Sequence, residues 1–167
     1  MTKIIFGPTL AGKTTLHQLF LKKTTFTSFD LDEEIEKTVS MSCRLFILKF
    51  GEEKFRALEQ KVLNTLISKK PDFIFLGGGF ISNYSNRVYL KTLPKNDYTL
   101  IYLKLTYREF IKRQKNILNQ STRPLLNKDK TFYLKRTLVG KKLKCRTVDV
   151  FNQHPETILN KITKLWK

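Results

Sequence analysis

Apolar and polar positions divide the chain into short apolar runs separated by longer amphipathic segments. The runs at 2–6 (TKIIF), 73–76 (FIFL) and 98–105 (YTLIYLKL) show no regular alternation of apolar and polar residues. Strands of this kind are buried on both faces, as in parallel sheets that are covered by helices. Two shorter runs, 27–30 (TSFD) and 145–150 (CRTVDV), are predicted to complete a five-stranded sheet. Because helical segments separate the strands, the pattern predicts an α/β fold.

The segments between these runs have helical periodicity. The strongest example is 52–70, where Phe55, Leu58, Val62 and Leu66 recur at helical spacing. Further helices are predicted for a stretch ending at Lys23, for 31–39, 41–50, 84–93, 106–118 and 131–143, and from Pro155 onward. The polar, proline-containing stretch NQSTRPLLNKDK is predicted to form a mobile lid at approximately 114–130. Since no repeat or linker interrupts the pattern, we expect a single domain over 1–167.

Basic residues are distributed unevenly along the chain. The 167 residues carry a formal net charge of +18. Residues 104–146 hold 14 lysines and arginines against two acids, whereas eight of the 14 acids fall within 30–59. A polarised molecule of this kind attracts small polyanions such as nucleotides as well as RNA. The net charge alone would suggest a nucleic-acid partner, but its uneven distribution weakens that interpretation, and we do not expect a nucleic-acid partner.

The sequence has no feature typical of a membrane or secreted protein. No run approaches the roughly 18 apolar residues that a membrane span requires, and the first residues, MTKIIFGPTLAGK, do not match a leader peptide. Cys43 and Cys145 lie far apart and match no metal-binding or redox spacing. We therefore expect a cytoplasmic protein without a membrane partner, and we expect a monomer.

The stretch GPTLAGKT, Gly7 to Thr14, matches the phosphate-loop pattern G-x-x-x-x-G-K-[ST]. It lies between a predicted strand and a predicted helix, as this motif requires. Backbone N–H groups of such a loop surround phosphate oxygens, Lys13 reaches the outer phosphates, and the Thr14 hydroxyl binds Mg²⁺. The alternative is an ordinary glycine-rich turn. The motif predicts that the protein binds ATP or GTP, but it does not identify the phosphate acceptor.

Three glycines follow the apolar run at 73–76. Gly77, Gly78 and Gly79 are not followed by Lys and Ser or Thr, so they do not form a second phosphate loop. In open α/β sheets, ligands bind beyond the carboxyl ends of the strands. A backbone without side chains at this edge would accommodate the phosphate acceptor. The alternative is a flexible strand end or a bulge.

Two aspartates lie at the end of the second predicted strand. Asp30 and Asp32 flank Leu31, and side chains two residues apart on an extended chain point the same way. One carboxylate could hold Mg²⁺ through water, while the other orients the attacking hydroxyl or accepts its proton. The alternative is helix capping, with Asp30 as the N-cap and Glu33 three residues later. The two interpretations are compatible, and the sequence does not choose between them.

Three arginines are candidates for anion binding. Arg56 lies at the edge of the apolar face of the 52–70 helix, and Arg136 is predicted to point towards the core. A buried arginine needs an anion, and two converging arginines would suit a carboxylate on a small substrate. Arg123, in the predicted lid, could close over phosphates. The alternatives are salt bridges, with Glu52 in the case of Arg56, and a solvated loop charge in the case of Arg123.

Together these segments resemble the shikimate kinase family. The motifs are GPTLAGKT, FDLDEEIE, GEEKFRALE, FLGGG, RPLL and VDV, in the family's order and at nearly its spacing. The resemblance runs from the first strand to the C-terminal helix. It implies a five-stranded parallel sheet of order 2-3-1-4-5, as in a single-domain P-loop kinase. It also implies transfer of the ATP γ-phosphate to the 3-hydroxyl of shikimate, in aromatic amino-acid biosynthesis.

The resemblance further implies roles for individual residues, with ATP and Mg²⁺ as the cofactors. The implied nucleotide site consists of Gly7, Leu10, Ala11, Gly12, Lys13, Thr14, Thr15, Arg113 and Arg123. The implied shikimate site consists of Asp32, Arg56, Gly78, Gly79 and Arg136. Among these, Lys13, Asp32 and Arg123 would take part in catalysis, with Asp32 holding the acceptor hydroxyl. Thr14 and Asp30 would hold the metal, and Arg113 would stack on adenine.

The sequence departs from the family pattern in four places. Leu10 stands where the loop usually has a further glycine, and Ile47 stands where phenylalanine is frequent near the substrate. The segment that begins at the clamp arginine, Arg136, reads RTLVG in place of R-x-P-L-Y, and the stretch between Arg113 and Arg123 is slightly long. Two alternatives stay open. One is another small-metabolite P-loop kinase, such as a gluconate kinase, and the other is a basic RNA-binding protein on a degenerate kinase fold.

Overall fold

The apolar runs form a sheet that is buried on both faces. The structure, a computed structural model, describes residues 1–94, 96–118, 130–131, 133–134, 137 and 143–164, without the side chains of 117 and 118. The strands are β1 (Thr2–Phe6), β2 (Ser28–Asp30), β3 (Phe73–Phe75), β4 (Tyr98–Lys104) and β5 (Arg146–Asp149). Every residue of β1 and β3 is buried. Both strands lie inside the sheet, which explains why their sequences show no alternation.

The sheet order is β2-β3-β1-β4-β5, and every pair of neighbouring strands is parallel. Ile5 of β1 pairs with Phe75 of β3 on one side and with Ile101 of β4 on the other. The five-stranded α/β fold and the 2-3-1-4-5 order expected from the sequence are therefore confirmed. Strand β3 is shorter than the stretch FIFLGGG, 73–79, that was predicted to form it, because the chain leaves the sheet before the three glycines.

Helices cover both faces of the sheet. In the described part of the chain they are α1 (Lys13–Lys23), α2 (Leu31–Val39), α3 (Cys43–Phe50), α4 (Glu52–Ser68), α5 (Tyr84–Thr92), α6 (Tyr107–Leu118) and α7 (Pro155–Lys164), with a 3₁₀ turn at Phe80–Ser82. Helices α2, α4 and α5 pack on the face that carries Ile4 and Phe6. Helices α1, α6 and α7 pack on the face that carries Ile5 and Phe75.

The carboxyl ends of the three strands β2, β3 and β1 lie side by side. The loop that follows β1, the start of α2 and the turn at 77–79 leave the sheet at this edge. In parallel α/β sheets, ligands bind at this edge. The predicted lid and the predicted helix at 131–143 fall largely outside the described residues. Within the described part of the chain, no helix has the length and apolar character required to cross a bilayer.

Candidate functional site

The loop between β1 and α1 has the geometry of a phosphate-binding loop. It leads directly into the first turn of α1, whose N-cap is Gly12. The Lys13 ammonium lies within the loop, where Nζ donates to the carbonyl oxygens of Gly7 and Pro8, both at 2.9 Å. Thr14 follows in the first turn of the helix. A helix N-terminus and an ammonium group thus face the same space, which favours an anion.

The predicted loop residues contribute in two different ways. Leu10, Gly12, Lys13, Thr14 and Thr15 border the open cleft beside the loop.

Gly7 and Ala11, in contrast, are buried in the loop's base. A Cβ placed on Gly7 would lie 2.7 Å from the Leu103 carbonyl oxygen, so only glycine lets the loop begin so close to β4. The Ala11 side chain packs into the core, while its backbone N–H donates to the Pro8 carbonyl oxygen at 3.2 Å. These two residues shape the loop and do not border the cleft.

Arg113, on α6, reaches the loop from the opposite wall. Nη1 donates to the Leu10 carbonyl oxygen at 3.0 Å and Nη2 to the Val150 carbonyl oxygen at 3.2 Å. Nε donates to Glu109 Oε1 at 2.9 Å. All three bonds run in the guanidinium plane. The faces of the guanidinium group therefore remain available for stacking against a planar ring.

Two carboxylates enter the cleft from the end of β2. Asp30 is the N-cap of α2, and its Oδ1 accepts the backbone N–H groups of Asp32 at 2.9 Å and Glu33 at 3.4 Å. The capping interpretation is thus confirmed for Asp30, which also borders the cleft. The extended geometry expected for the pair is wrong, because the chain turns into α2 at Leu31. The helix cap, rather than strand alternation, brings the two carboxylates together.

The first glycine of the triple-glycine turn lies directly against the Asp32 carboxylate. A Cβ placed on Gly77 would lie 2.8 Å from Asp32 Oδ2 and closer still to Oδ1. Real Cβ atoms do not approach oxygens so closely, so the carboxylate occupies the volume that a side chain would take. Gly78 and Gly79 also border the cleft. The sequence pointed to the last two glycines as substrate contacts and missed the specific role of the first.

The acidic groups at this end of the cleft share a low-polarity environment. Burial, followed by the nearby Asp30 and Glu59 carboxylates, raises the pKa of Asp32 to about 7, against the opposing effect of Lys13. Burial also raises the pKa of Asp30, although the two N–H groups that it accepts oppose this shift. Asp32 is consequently a base whose protonation changes near neutral pH, as general base catalysis requires.

Arg56 is held by acids of its own helix. Its Nη1 donates to Glu59 Oε2 at 2.9 Å, and its Nη2 donates to Glu52 Oε1 at 2.7 Å. The Glu59 side chain is 2% exposed and that of Glu52 is 66% exposed. Asn86, which is fully buried at the start of α5, donates Nδ2–H to the same Glu59 oxygen at 2.7 Å. Arg56 therefore forms the salt bridge with Glu52 that was predicted from the sequence, and it also borders the cleft.

Sequence reasoning missed Glu59 and Asn86. Glu59 lies three residues after Arg56 on the buried face of α4. Side chains at this spacing on a helix are neighbours, so the spacing itself could have predicted an ion pair between the two residues. Asn86 follows Glu59 by 27 residues and meets it only through the packing of α4 against α5. No local pattern predicts a contact at this separation.

The remaining wall at the acceptor end is mostly apolar. Cys43, Ile47, Leu48 and Phe55 border it. Cys43 Sγ lies 3.6 Å from the Asp32 carbonyl oxygen. Burial and the Asp32 carboxylate raise the pKa of this thiol to about 12, so it stays protonated at neutral pH. A small substrate at this end would contact apolar groups on one side and charged groups on the other.

One cleft of about 1020 Å³ connects these features. The predicted site residues that border it are Leu10, Gly12, Lys13, Thr14, Thr15, Asp30, Asp32, Arg56, Gly78, Gly79 and Arg113. Arg123 and Arg136 lie outside the described residues. A smaller cavity of about 500 Å³ lies beside β5, and none of the predicted site residues that the structure describes borders it. The chemistry that the sequence predicted is thus concentrated in one place.

Comparison with known proteins gives a consistent result. A family model described as shikimate kinase matches residues 10–166 of the chain. Shikimate kinase from Streptococcus gordonii is 33% identical over 162 residues, which cover 95% of this chain and 96% of the relative. The crystal structure of shikimate kinase from Aquifex aeolicus has a TM-score of 0.77 at 26% identity, covering 98% of this chain and 95% of that one.

Two further solved structures bear on the choice of acceptor. Shikimate kinase from Acinetobacter baumannii in complex with shikimate has a TM-score of 0.74 at 27% identity, covering 99% of this chain and 92% of that one. A gluconokinase from Sinorhizobium meliloti has a TM-score of 0.63 at 9% identity, covering 98% of this chain and 92% of that one. The likeness to the gluconokinase shows a common fold and no more.

Proposed function

The chain belongs to the shikimate kinase family, and we propose that its cleft transfers the γ-phosphoryl group of ATP to the 3-hydroxyl of shikimate. The observation that carries this proposal is that Lys13, at the start of α1, and Asp32, at the start of α2, border the same cleft. One supplies a cation for phosphate and the other a carboxylate for a hydroxyl. Phosphoryl transfer depends mainly on positioning and on electrostatic stabilisation, which this arrangement can provide.

The loop binds the phosphates of ATP. Its backbone N–H groups and the Lys13 ammonium offset the negative charge, and Lys13 exchanges its loop carbonyl partners for phosphate oxygens. Leu10, Gly12 and Thr15 border the phosphates, and Gly7 and Ala11 fix the loop's shape. Adenine stacks on the free face of the Arg113 guanidinium group, which its three in-plane hydrogen bonds hold in place.

The cleft also suits Mg²⁺. Thr14 supplies a hydroxyl oxygen and Asp30 a carboxylate oxygen, and both border the cleft beside the loop. This small set of oxygen ligands fits Mg²⁺, which retains several waters and shares its remaining positions with phosphate oxygens. Thr14 would bind the ion directly and Asp30 through water. Bound Mg²⁺ would neutralise charge that develops on the transferred phosphoryl group.

Asp32 orients the acceptor hydroxyl and accepts its proton. Its seat against Gly77 fixes the carboxylate position, and its pKa of about 7 leaves a large fraction ionised at neutral pH. Arg56 borders the cleft, and its guanidinium group binds the shikimate carboxylate through charge-assisted hydrogen bonds. Backbone groups of Gly78 and Gly79 contact the ring. Arg136 is proposed as the second carboxylate ligand and Arg123 as the lid residue on ATP, and both roles remain predictions.

An acceptor panel tests the proposed function. The purified protein is incubated with ATP and Mg²⁺, and ADP release is measured with shikimate, with gluconate and without an acceptor. We expect release only with shikimate, and we expect Asp32→Asn to abolish it while ATP still binds. Turnover with gluconate and none with shikimate would instead support the gluconate kinase alternative. RNA binding at physiological salt without ATP binding would support the RNA-binding alternative.

The cytoplasmic location and the monomeric state expected from the sequence stay predictions. Light scattering on the purified protein across a tenfold concentration range measures the oligomeric state directly. A constant mass near 19.7 kDa would support a monomer.

A further inference from the structure

The phosphate loop contains a leucine in a backbone conformation that favours glycine. Leu10 has φ 68° and Gly12 has φ 92°, so two residues of the loop lie in the left-handed region. For an L-residue other than glycine this region is disfavoured by a factor of about ten. The Leu10 side chain packs beside the buried cluster under α1, which offsets part of the penalty. A further contact to the backbone of the turn would therefore help to keep Leu10 in the left-handed conformation.

Arg113 provides a contact at this point of the loop. Its Nη1 donates to the Leu10 carbonyl oxygen at 3.0 Å, and a Cβ placed on Gly12 would lie 3.9 Å from the same nitrogen. The nitrogen thus lies beside both left-handed residues. Glu109 and Val150 anchor the other two edges of the guanidinium group. Because three acceptors from separate segments fix its position, the arginine can restrain the carbonyl that it binds.

We infer that Arg113 is a positioning residue for the phosphate loop, holding the left-handed turn at Leu10 in the conformation that binds phosphate. The inference deepens the proposed function, because it rests on the loop's binding of ATP phosphates. It assigns Arg113 a task separate from stacking on adenine. A stacking residue affects only nucleotides with a base, whereas a residue that holds the loop affects any polyphosphate.

Inorganic tripolyphosphate separates the two tasks, because it has no base to stack. Its dissociation constant with Mg²⁺ is measured by titration calorimetry for the parent protein and for Arg113→Met. We expect Arg113→Met to bind tripolyphosphate about tenfold more weakly than the parent. Without Arg113, only a fraction of the molecules has the loop in the conformation that binds phosphate. An unchanged affinity for tripolyphosphate with weaker ATP binding would leave stacking as the only role and overturn the inference.

Two variants control for charge and for folding. Arg113→Lys keeps the positive charge but cannot form three bonds in one plane, so we expect a loss close to that of Arg113→Met. Arg108→Met removes an exposed arginine of the same helix, and we expect tripolyphosphate binding within twofold of the parent. If Arg113→Lys binds like the parent, charge alone explains the effect and the inference fails.

The sharpest test repeats the substitution in a Leu10→Gly background. Glycine adopts the left-handed conformation without penalty, so the loop no longer depends on Arg113 to hold it. We expect Arg113→Met to weaken tripolyphosphate binding about tenfold with leucine at position 10 but only about twofold after Leu10→Gly. An equal loss in both backgrounds would contradict the inference. If the parent itself binds neither ATP nor tripolyphosphate, the proposed function fails together with it.

Discussion

The two ends of the cleft are built in different ways. At the nucleotide end, one continuous segment from Gly7 to Thr15 supplies a helix N-terminus and a lysine. At the acceptor end, Asp32, Arg56 and Gly77 come from three segments and meet only in the folded protein. The first end binds a charge pattern that is common to all nucleotides. The second end has to fit one small molecule, so its geometry depends on tertiary packing.

The two ends also differ in the unfavourable structural feature that each contains. The nucleotide end contains a leucine in a left-handed conformation. The acceptor end buries carboxylates in one small region, and burial raises the pKa of Asp32 and of Glu59. An ionised carboxylate in such a place opposes folding. Function is therefore expected to conflict with stability mainly at the acceptor end.

Among substitutions that leave Asp32 itself unchanged, the largest effect is expected from Gly77→Val. The new side chain would occupy the volume of the Asp32 carboxylate, and a displacement of about 1 Å at a reacting group lowers kcat by about 100-fold. ATP affinity should stay within threefold of the parent, because the three heavy atoms nearest to the new Cβ all belong to Asp32 and none belongs to the loop. Steady-state kinetics with shikimate and calorimetry with ATP measure the two quantities.

A substitution at Gly79 provides the matched comparison for Gly77→Val. A side chain at Gly79 is expected to block the acceptor and raise KM for shikimate, whereas Gly77→Val acts on kcat. If folded Gly77→Val keeps kcat within threefold of the parent, the seat of Asp32 does not matter for the reaction.

The second prediction concerns pH and the stability of Asp32→Asn. The folded state raises the pKa of Asp32 from its ordinary 3.8 to about 7, so between these values the folded protein binds more protons than the unfolded chain. Stability contributed by this group is therefore lost as pH rises from about 4 through 7. Asparagine cannot ionise, so Asp32→Asn should be more stable than the parent at pH 8, by an amount on the order of 2–4 kcal/mol. Urea unfolding at pH 8 and pH 4.5 measures the difference, which should fall to about 1 kcal/mol at the lower pH, because the unfolded aspartate is still mostly ionised there.

Asp97→Asn is the control for this experiment. Asp97 is exposed, so the same chemical change there should alter the free energy of unfolding by less than about 0.5 kcal/mol at either pH. If the increase in the free energy of unfolding caused by Asp32→Asn is no larger at pH 8 than at pH 4.5, ionisation of Asp32 does not oppose folding.

The contrast between the two ends explains what the sequence could predict. The phosphate loop is contiguous, so its motif and its place between a strand and a helix were sufficient to locate Lys13 and Thr14. The Asp30 cap was also predictable, because capping depends on residues within one turn. The apolar run at 73–76 extends one residue beyond β3, because Leu76 is still buried after the strand has ended. Apolar composition indicates that a residue is buried, but it does not indicate that the residue pairs with a neighbouring strand.

The acceptor end was predicted less completely for the same reason. Arg56, its exposed partner Glu52 and Asp32 were identified, but the buried residues that hold Arg56 and Asp32 were not. Gly77 meets Asp32 across 45 positions in the chain, and Asn86 meets Glu59 across 27. Contacts over such separations arise from the packing of α2, α4 and α5 on the sheet, which no local period encodes.

The third prediction is a loss of shikimate affinity in Asn86→Ala. The substitution removes the Nδ2–H donor of a buried carboxylate and leaves Arg56 as the described hydrogen-bond partner of that carboxylate. A hydrogen bond to a buried charged group contributes about 1.5–3 kcal/mol, and part of this loss should appear as looser positioning of Arg56. We expect KM for shikimate to rise about tenfold with a smaller change in KM for ATP. Asn64→Ala, at an exposed asparagine of α4, should change neither. Equal increases in both KM values would indicate general destabilisation instead.

The smallest effect is expected from Glu52→Gln. Glu52 and Glu59 bind the same arginine, but the Glu52 side chain is 66% exposed and that of Glu59 is 2% exposed. An exposed ion pair contributes about 0–1 kcal/mol, so the free energy of unfolding should change little. Glu52 also competes with the substrate carboxylate for the Arg56 guanidinium hydrogens. Its neutralisation should therefore lower KM for shikimate slightly, by at most about threefold, and 0.5 M KCl should reduce the difference from the parent. A rise in KM as large as that of Asn86→Ala would mean that exposure does not separate the two acids, and that Arg56 needs both to hold its position.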